Sequence, residues 1–191
     1  MKQPSNLAYS NNPCCAFMAA IVGSFEEQVG GQHYLGRTAM QKLVYFAKAL
    51  GAPIPCSFEI YTYGPYSERV TFAVDSLLAD DVLKETSNDP QTYSNYRLGQ
   101  NAGEILSAYR ESIEPYRGEI DAVVQSLGRF EPPALELIAT LHFIHHRLMQ
   151  IGRKEPSKAQ VVEEFRRVKK DKFSAGEIDS WYDALKRAKL T

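Results

Sequence analysis

A Gly-Pro pair at positions 64 and 65 separates two segments that cannot belong to one regular element. Upstream, in "FEIYTY", Phe58, Ile60 and Thr62 alternate with Glu59, Tyr61 and Tyr63, a period of two rich in aromatic and β-branched residues that predicts a short strand. Pro65 has no N–H to give to a strand ladder, and it biases Gly64 away from helix. Ser67 is placed to cap a new helix, on which Val70, Ala73, Val74, Leu77 and Leu78 share one face. The stretch "FEIYTYGPYS" is thus expected to run strand, sharp turn, helix start. Phe58, Ile60 and Tyr63 are assigned to the core. Tyr61, Tyr66, Arg69 and Phe72 remain over, and the residue types that remain are those enriched at protein-binding hot spots. They are expected to form an exposed aromatic patch with one arginine.

The same punctuation organises the rest of the chain. Asn12 and Pro13 suit an N-cap and first helical position, and Phe17, Ala20, Ile21, Ser24 and Phe25 keep helical spacing until Gly30-Gly31. Thr38 with Gln41 predicts a capping box for a second helix, whose stripe of Met40, Leu43, Val44, Ala47 and Leu50 stops at Gly51. "VLKETSNDPQTYSNYRL" reads as a hairpin around Asn88-Asp89-Pro90, and Asn101 with Glu104 predicts a box for the next helix. Helices are expected over 115–128, 133–151, 157–169 (boxed by Ser157 and Gln160) and 174–190 (boxed by Ser174 and Glu177), the last with a stripe of Ile178, Trp181, Leu185 and Ala188. The order helix, helix, strand, helix, hairpin, helix is close to that of a winged helix. The expected fold is mainly α with a small β-sheet: a winged-helix-like core over 1–114, with a C-terminal helical lobe over 115–191 packed on it.

Charge and cysteine usage narrow the function. The net charge of −1 hides an uneven distribution: residues 1–140 hold 10 Lys/Arg against 16 Asp/Glu, and residues 141–191 hold 12 against 7. The helix that would read DNA in a winged helix carries one basic residue, Arg69, against Glu68, Asp75, Asp80 and Asp81, whereas phosphate contacts need a basic surplus. The basic C-terminal residues Arg153, Lys154, Arg166, Arg167, Lys169 and Lys170 are the candidates for nucleic-acid contact, although acidic residues interleave them. No apolar run reaches the roughly 18 residues of a membrane span, and the N-terminus lacks a secretory pattern, so a cytoplasmic protein without membrane association is expected. Cys14, Cys15 and Cys56 form no CxxC pair, and an odd count suits reduced thiols.

Candidate chemistry is sparse. His142 and His146 lie four apart on a helix with His145 beside them, a spacing that can share a metal, but the glutamate of HExxH is missing and boundary histidines are expected. Cys14 and Cys15 fall in the first turn of a helix, where the dipole lowers a thiol pKa, yet small packing residues are the expectation. Phosphate-cradling and nucleophile-elbow motifs are absent from the sequence. Neither an enzyme, a cofactor, a metal nor a small-molecule substrate is expected.

"AMQKLVYFAKALG" followed by "FEIYTYGPYSERV" resembles the Panacea family of bacterial antitoxin-associated domains. Gln41, Lys42, Leu43, Val44, Tyr45 and Phe46 match its helix, and Tyr63, Gly64 and Pro65 match its turn. The continuation Tyr66-Ser67 is similar to a related prokaryotic group with a Tyr-Gly-Pro-Tyr-Ser motif. The resemblance implies a non-catalytic module that binds a protein partner, in the antitoxin case a toxin. The alternative expectation is a winged-helix DNA-binding transcriptional regulator that uses the basic C-terminal helices.

Overall fold

The computed structural model describes residues 6–31, 33–86 and 94–191, which are mainly helical with a small β content in two two-stranded sheets. In chain order the elements are α1 (Pro13–Gln28), α2 (Arg37–Ala49), β1 (Glu59–Tyr61), β2 (Gly64–Tyr66), α3 (Glu68–Ala79), β3 (Leu83–Glu85), β4 (Tyr96–Leu98), α4 (Ala102–Ala108) and α5 (Arg110–Ile113). A 3₁₀ turn (Glu114–Tyr116) then leads to α6 (Arg117–Leu127), α7 (Pro132–Gly152), α8 (Lys158–Lys169) and α9 (Ala175–Arg187). They form two compact units: Met1–Glu59 with Tyr66–Phe130, and Ile60–Pro65 with Glu131–Thr191. The division therefore falls after Phe130 and not at residue 114. The reason is α6, whose Ile120, Val123, Val124 and Leu127 are buried in the first unit, against α1 and α2.

The first unit is built around α1. Every residue from Cys14 to Val22 is buried, as are Ser24 and Phe25. The expected one-sided stripe is thus a helix buried on all faces, covered by α2, α3, α4, α5, α6 and β4. Small residues such as Ala16, Ala19 and Ala20 let these neighbours approach closely. Its start is as expected: Pro13 opens the helix, and the Asn12 side chain accepts from the Cys15 N–H at 3.1 Å. β3 and β4 pair antiparallel with Leu83 opposite Leu98, Lys84 opposite Arg97 and Glu85 opposite Tyr96. The turn Asn88-Asp89-Pro90 that was expected to join them lies outside the described residues.

Two expected capping boxes are used differently. α2 begins at Arg37 after Gly36, and Gln41 does not reach back to Thr38; its side chain goes instead to Ser67. Asn101 precedes α4 but donates its Nδ2 to the Asp80 carbonyl at 2.8 Å, while the Glu104 carboxylate accepts from the Asn6 N–H at 3.2 Å. Gln41 and Asn101 are drawn from local caps to buried or part-buried backbone groups distant in sequence, because a buried backbone group without a partner costs more than an exposed helix end. Gln41 shows this most clearly. It accepts from the Ser67 N–H at 2.9 Å and donates to the Ser67 carbonyl at 2.9 Å, both buried.

In the second unit α7, α8 and α9 pack on one another. The capping boxes Ser157/Gln160 and Ser174/Glu177 are both closed, as the sequence predicts. The apolar line of α9 runs through Ile178, Tyr182 and Leu185; Trp181 is half-buried and Ala188 exposed, so the expected stripe is rotated toward Tyr182. The cause is on α7, where His142 and His145 are buried instead of flanking the interface. His145 Nδ1 lies 3.1 Å from the Tyr182 hydroxyl and Nε2 lies 3.7 Å from Glu155. His146 donates Nε2–H to the Leu190 carbonyl at 2.8 Å. His145 and His146 thus join α7 to the C-terminal part of the chain. Among the described residues, no group of three His, Cys, Asp or Glu side chains is arranged to hold a metal.

Two outcomes follow from this packing. Gln41→Ala leaves the buried Ser67 N–H without its partner, while the Ser67 carbonyl keeps the Val70 N–H at 3.1 Å, and should destabilise the protein by about 1–3 kcal/mol in urea unfolding. A loss below about 0.5 kcal/mol would show that the amide is replaceable. Burial, followed by the neighbouring His146 and His145, pushes the His142 imidazole down to about 3 from its ordinary 6.5. The unfolded chain therefore takes up a proton near pH 6.5 that the folded state refuses until about pH 3. Stability should fall as pH drops through this window, by up to about 1.4 kcal/mol per pH unit from this site, and His142→Gln should flatten the dependence.

Candidate functional site

α3 is held on its inner side and left free on its outer side. Val70, Ala73, Val74 and Leu77 are buried, and Gln41 braces the backbone at Ser67. Ser67 stands at the N-cap position without a side-chain cap bond, so the brace from α2 takes the place of a local cap. Gln41 Nε2 also lies 3.2 Å from Thr71 Oγ1, whose hydroxyl donates to the Tyr66 hydroxyl at 2.9 Å. This chain fixes the Tyr66 ring in a half-buried position. Arg69 is exposed, with Nη1 donating to the Pro55 carbonyl at 2.6 Å. Phe72 is 65 % exposed in the middle of the helix. It shares the outward stripe with Glu68, Asp75 and Ala79, a line that carries two carboxylates and one aromatic ring.

The motif residues on α2 are internal. Lys42 is 1 % exposed, and Tyr45 is buried with its ring edge-on to Phe46 and Phe58 at centroid distances of 5.2 and 5.3 Å. Burial pushes the Tyr45 phenol well above its ordinary range, so it stays protonated. Tyr45 thus serves the core of the first unit.

The Tyr-Gly-Pro turn belongs to the second unit. Where the sequence predicts one strand and a turn, there are two short strands, β1 and β2, joined through Thr62 and Tyr63. Gly64 has φ +86°, a conformation that costs a side-chain-bearing residue and costs glycine nothing. Gly64 and Pro65 are buried, but Tyr63 is 58 % and Tyr61 67 % exposed, which corrects the assignment of Tyr63 to the core. An odd position at the tip of a two-residue turn points away from the body even when strand alternation would send it inward.

What holds the turn is an ion cluster. Glu136 on α7 is 2 % exposed and accepts from Lys169 Nζ at 2.9 Å and Lys172 Nζ at 2.8 Å. Lys169 Nζ also donates to the Thr62 carbonyl at 2.7 Å. Lys172 Nζ lies 5.1 Å from the centroid of the Tyr63 ring and 5.7 Å from that of Phe173, within cation–π range of both. Burial lowers the Lys169 pKa, with Glu136 opposing that shift and Lys172 adding to it. Lys169 is therefore taken out of the set expected to meet a phosphate backbone. A signal for this was present in the sequence: Val161, Phe165 and Lys169 form one line at helical spacing, and both apolar members are buried.

The remaining basic candidates are on the surface. Arg153, which ends α7 in a left-handed conformation, is exposed, as are Lys154, Arg166, Arg167 and Lys170. Arg167 pairs with Glu164 at 2.8 Å and Glu163 at 3.7 Å on its own helix. Cys14 and Cys15 are buried, and burial pushes the Cys15 thiol up to about 11 against a hydrogen bond from Asn12, which leaves it inert as a nucleophile at neutral pH.

No family model matches the chain. It is 30% identical over 109 residues to the uncharacterized protein YwgA of Bacillus subtilis (strain 168), a match that covers 56% of this chain and 63% of that one. It is 29% identical over 128 residues to proteins named DNA ADP-ribosyl glycohydrolase from Mycobacterium bovis and Mycobacterium tuberculosis, covering 63% of this chain and 35% of each of them. The chain spans less than two thirds of the length of these relatives. It is similar to part of each of them.

Proposed function

We propose that the protein is a non-catalytic module that binds a protein partner, with a toxin as the partner in the antitoxin reading. The observation that carries this is Phe72: a large aromatic side chain, 65 % exposed at the centre of a helix whose position is fixed from within. Arg69 and Tyr66 accompany it on the first unit, and Tyr61 with Tyr63 stands exposed on the second. Aromatic rings held by a rigid frame lose little entropy on binding, which favours a contact surface. The acidic neighbours Glu68 and Asp75 make α3 a poor recognition helix for DNA. The resemblance to the Panacea antitoxin-associated domains points the same way, and we read the first unit as a winged-helix-like core with β3 and β4 as its wing.

The likeness to 35% of each DNA ADP-ribosyl glycohydrolase fits a shared module better than a shared enzyme, because the chain corresponds to only a part of those proteins. We accordingly propose no glycohydrolase activity and no cofactor for this chain. The DNA-binding regulator is the reading to beat. It retains five exposed basic residues, Arg153, Lys154, Arg166, Arg167 and Lys170, after the loss of Lys169.

Affinity purification of the tagged protein from its own host at about 0.1 M and about 1 M salt separates the two. A stoichiometric protein retained at high salt is expected; nucleic acid that washes off with salt, and no protein, would overturn the proposal. With the partner in hand, Phe72→Ala and Tyr66→Ala should each weaken binding at least tenfold, with Phe72→Ala changing stability by less than about 0.5 kcal/mol. Gly64→Ala should instead lower stability, by about 1 kcal/mol or more, through its positive φ. Equal unfolding in all three variants would mean that the stretch has only a structural role.

A further inference from the structure

Cys14 and Cys56 lie 42 positions apart in sequence, yet their sulfurs are 2.8 Å apart in the interior of the first unit. Cys14 is the second residue of α1. Cys56 lies in the stretch 52–57, where Ala52, Ile54 and Cys56 are buried and Pro53, Pro55 and Ser57 are exposed. Both residues are free thiols, 5 % and 1 % exposed. An S–S bond measures about 2.05 Å, so the sulfurs need to close by less than about 1 Å.

We propose that Cys14 and Cys56 form an oxidisable dithiol that closes into an intramolecular disulfide, while Cys15 beside them stays reduced. Two cations are fixed next to Cys56. Arg69 donates to the Pro55 carbonyl at 2.6 Å and Lys48 Nζ to the Ile54 carbonyl at 2.8 Å, so the carbonyl groups preceding Cys56 each carry a positive side chain. The two sulfurs share one hydrogen bond; it and burial hold the Cys14 thiol protonated, and it lowers the Cys56 pKa against the opposing effect of burial, with Arg69 and Lys48 assisting. Cys56 is therefore the nucleophile and Cys14 the resolving thiol. Cys15 is turned elsewhere: its sulfur lies 3.8 Å from the Ala73 carbonyl and 3.2 Å from Asn12 Nδ2.

A hydroperoxide is the oxidant of the proposed step. The Cys56 thiolate attacks one peroxide oxygen, the O–O bond breaks, and Cys56 becomes a sulfenic acid as hydroxide leaves and takes up the proton that Cys56 had released. The Cys14 sulfur then attacks the Cys56 sulfur, its proton leaves with the displaced hydroxyl as water, and the S–S bond forms. Two thiols lose two electrons and two protons in total, and hydrogen peroxide becomes two waters.

The test oxidises the folded protein with hydrogen peroxide, alkylates it in denaturant and digests it with trypsin without reduction. Cleavage after Lys2, Arg37, Lys48 and Arg69 places Cys14 and Cys15 in one peptide and Cys56 in another. The expected product is these two peptides joined, lighter by two hydrogens, with one alkyl group on Cys15. Cys15→Ser should give the same link and Cys14→Ser should not. The crosslinked protein should melt about 5–15 °C higher than the reduced one. Three alkylated thiols after oxidation, a link through Cys15, or links only between chains would each overturn the proposal. The unmodified chain alone decides the result, so it survives a variant that fails to fold.

Discussion

The side-chain amide of Gln41 grips both backbone groups of Ser67, and much of the first unit takes its geometry from that grip. One edge of a primary amide presents a donor and an acceptor side by side, so it can pair with both backbone groups of one residue as a neighbouring strand would, and its second N–H is left for Thr71. The grip sets where α3 begins and how it is turned about its axis. Thr71 is then within reach of the Tyr66 hydroxyl, Arg69 of the Pro55 carbonyl, and Phe72 faces outward. Arg69 in turn stands next to Cys56, so one buried polar contact governs both the exposed aromatic face and the surroundings of the thiol pair.

The second unit depends on a different bond type. Buried Glu136 and Lys169, joined by the exposed Lys172, form a cluster that takes in the Thr62 carbonyl. Burying charges costs several kcal/mol per ion before the pair recovers it, so such a cluster contributes little net stability. Its contribution here is positional. A carbonyl at the tip of a turn accepts only from a donor placed within about 3 Å of it, and a lysine held by a buried carboxylate is such a donor.

The sequence made the helices legible because their ends carry chemistry: Asn12-Pro13, Ser157/Gln160 and Ser174/Glu177 all cap as expected. The exposed Phe72 was equally readable, since it falls off the line of Val70, Ala73, Val74 and Leu77. What could not be read was the use of polar side chains over long distance. Gln41 satisfies a local capping pattern on paper, and only the proximity of Ser67, 26 residues away, diverts it. Strand alternation sends Tyr63 inward on paper, but it stops having meaning at the tip of a two-residue turn, where Tyr63 is exposed. Because imidazole is polar, a boundary position is expected for the histidines of α7; His146 is half-buried there, whereas His142 and His145 are inside, His145 with the Tyr182 hydroxyl as its partner. The pairing of Cys14 with Cys56 carries no spacing signal at all, since it arises from the packing of a helix start against an extended segment.

The clasped turn has a consequence for the order in which the protein can be completed. Residues 60–65 belong to the second unit, but that unit's other residues begin only at Glu131. On a ribosome adding about 5–20 residues per second, the turn is synthesised several seconds before Glu136, and longer still before Lys169. The first unit's two chain segments flank the turn, so they can assemble while it has no carboxylate–lysine pair to receive it. A growing chain therefore carries the turn as an unfinished loop until α7 and α8, made later, supply the groups that hold it.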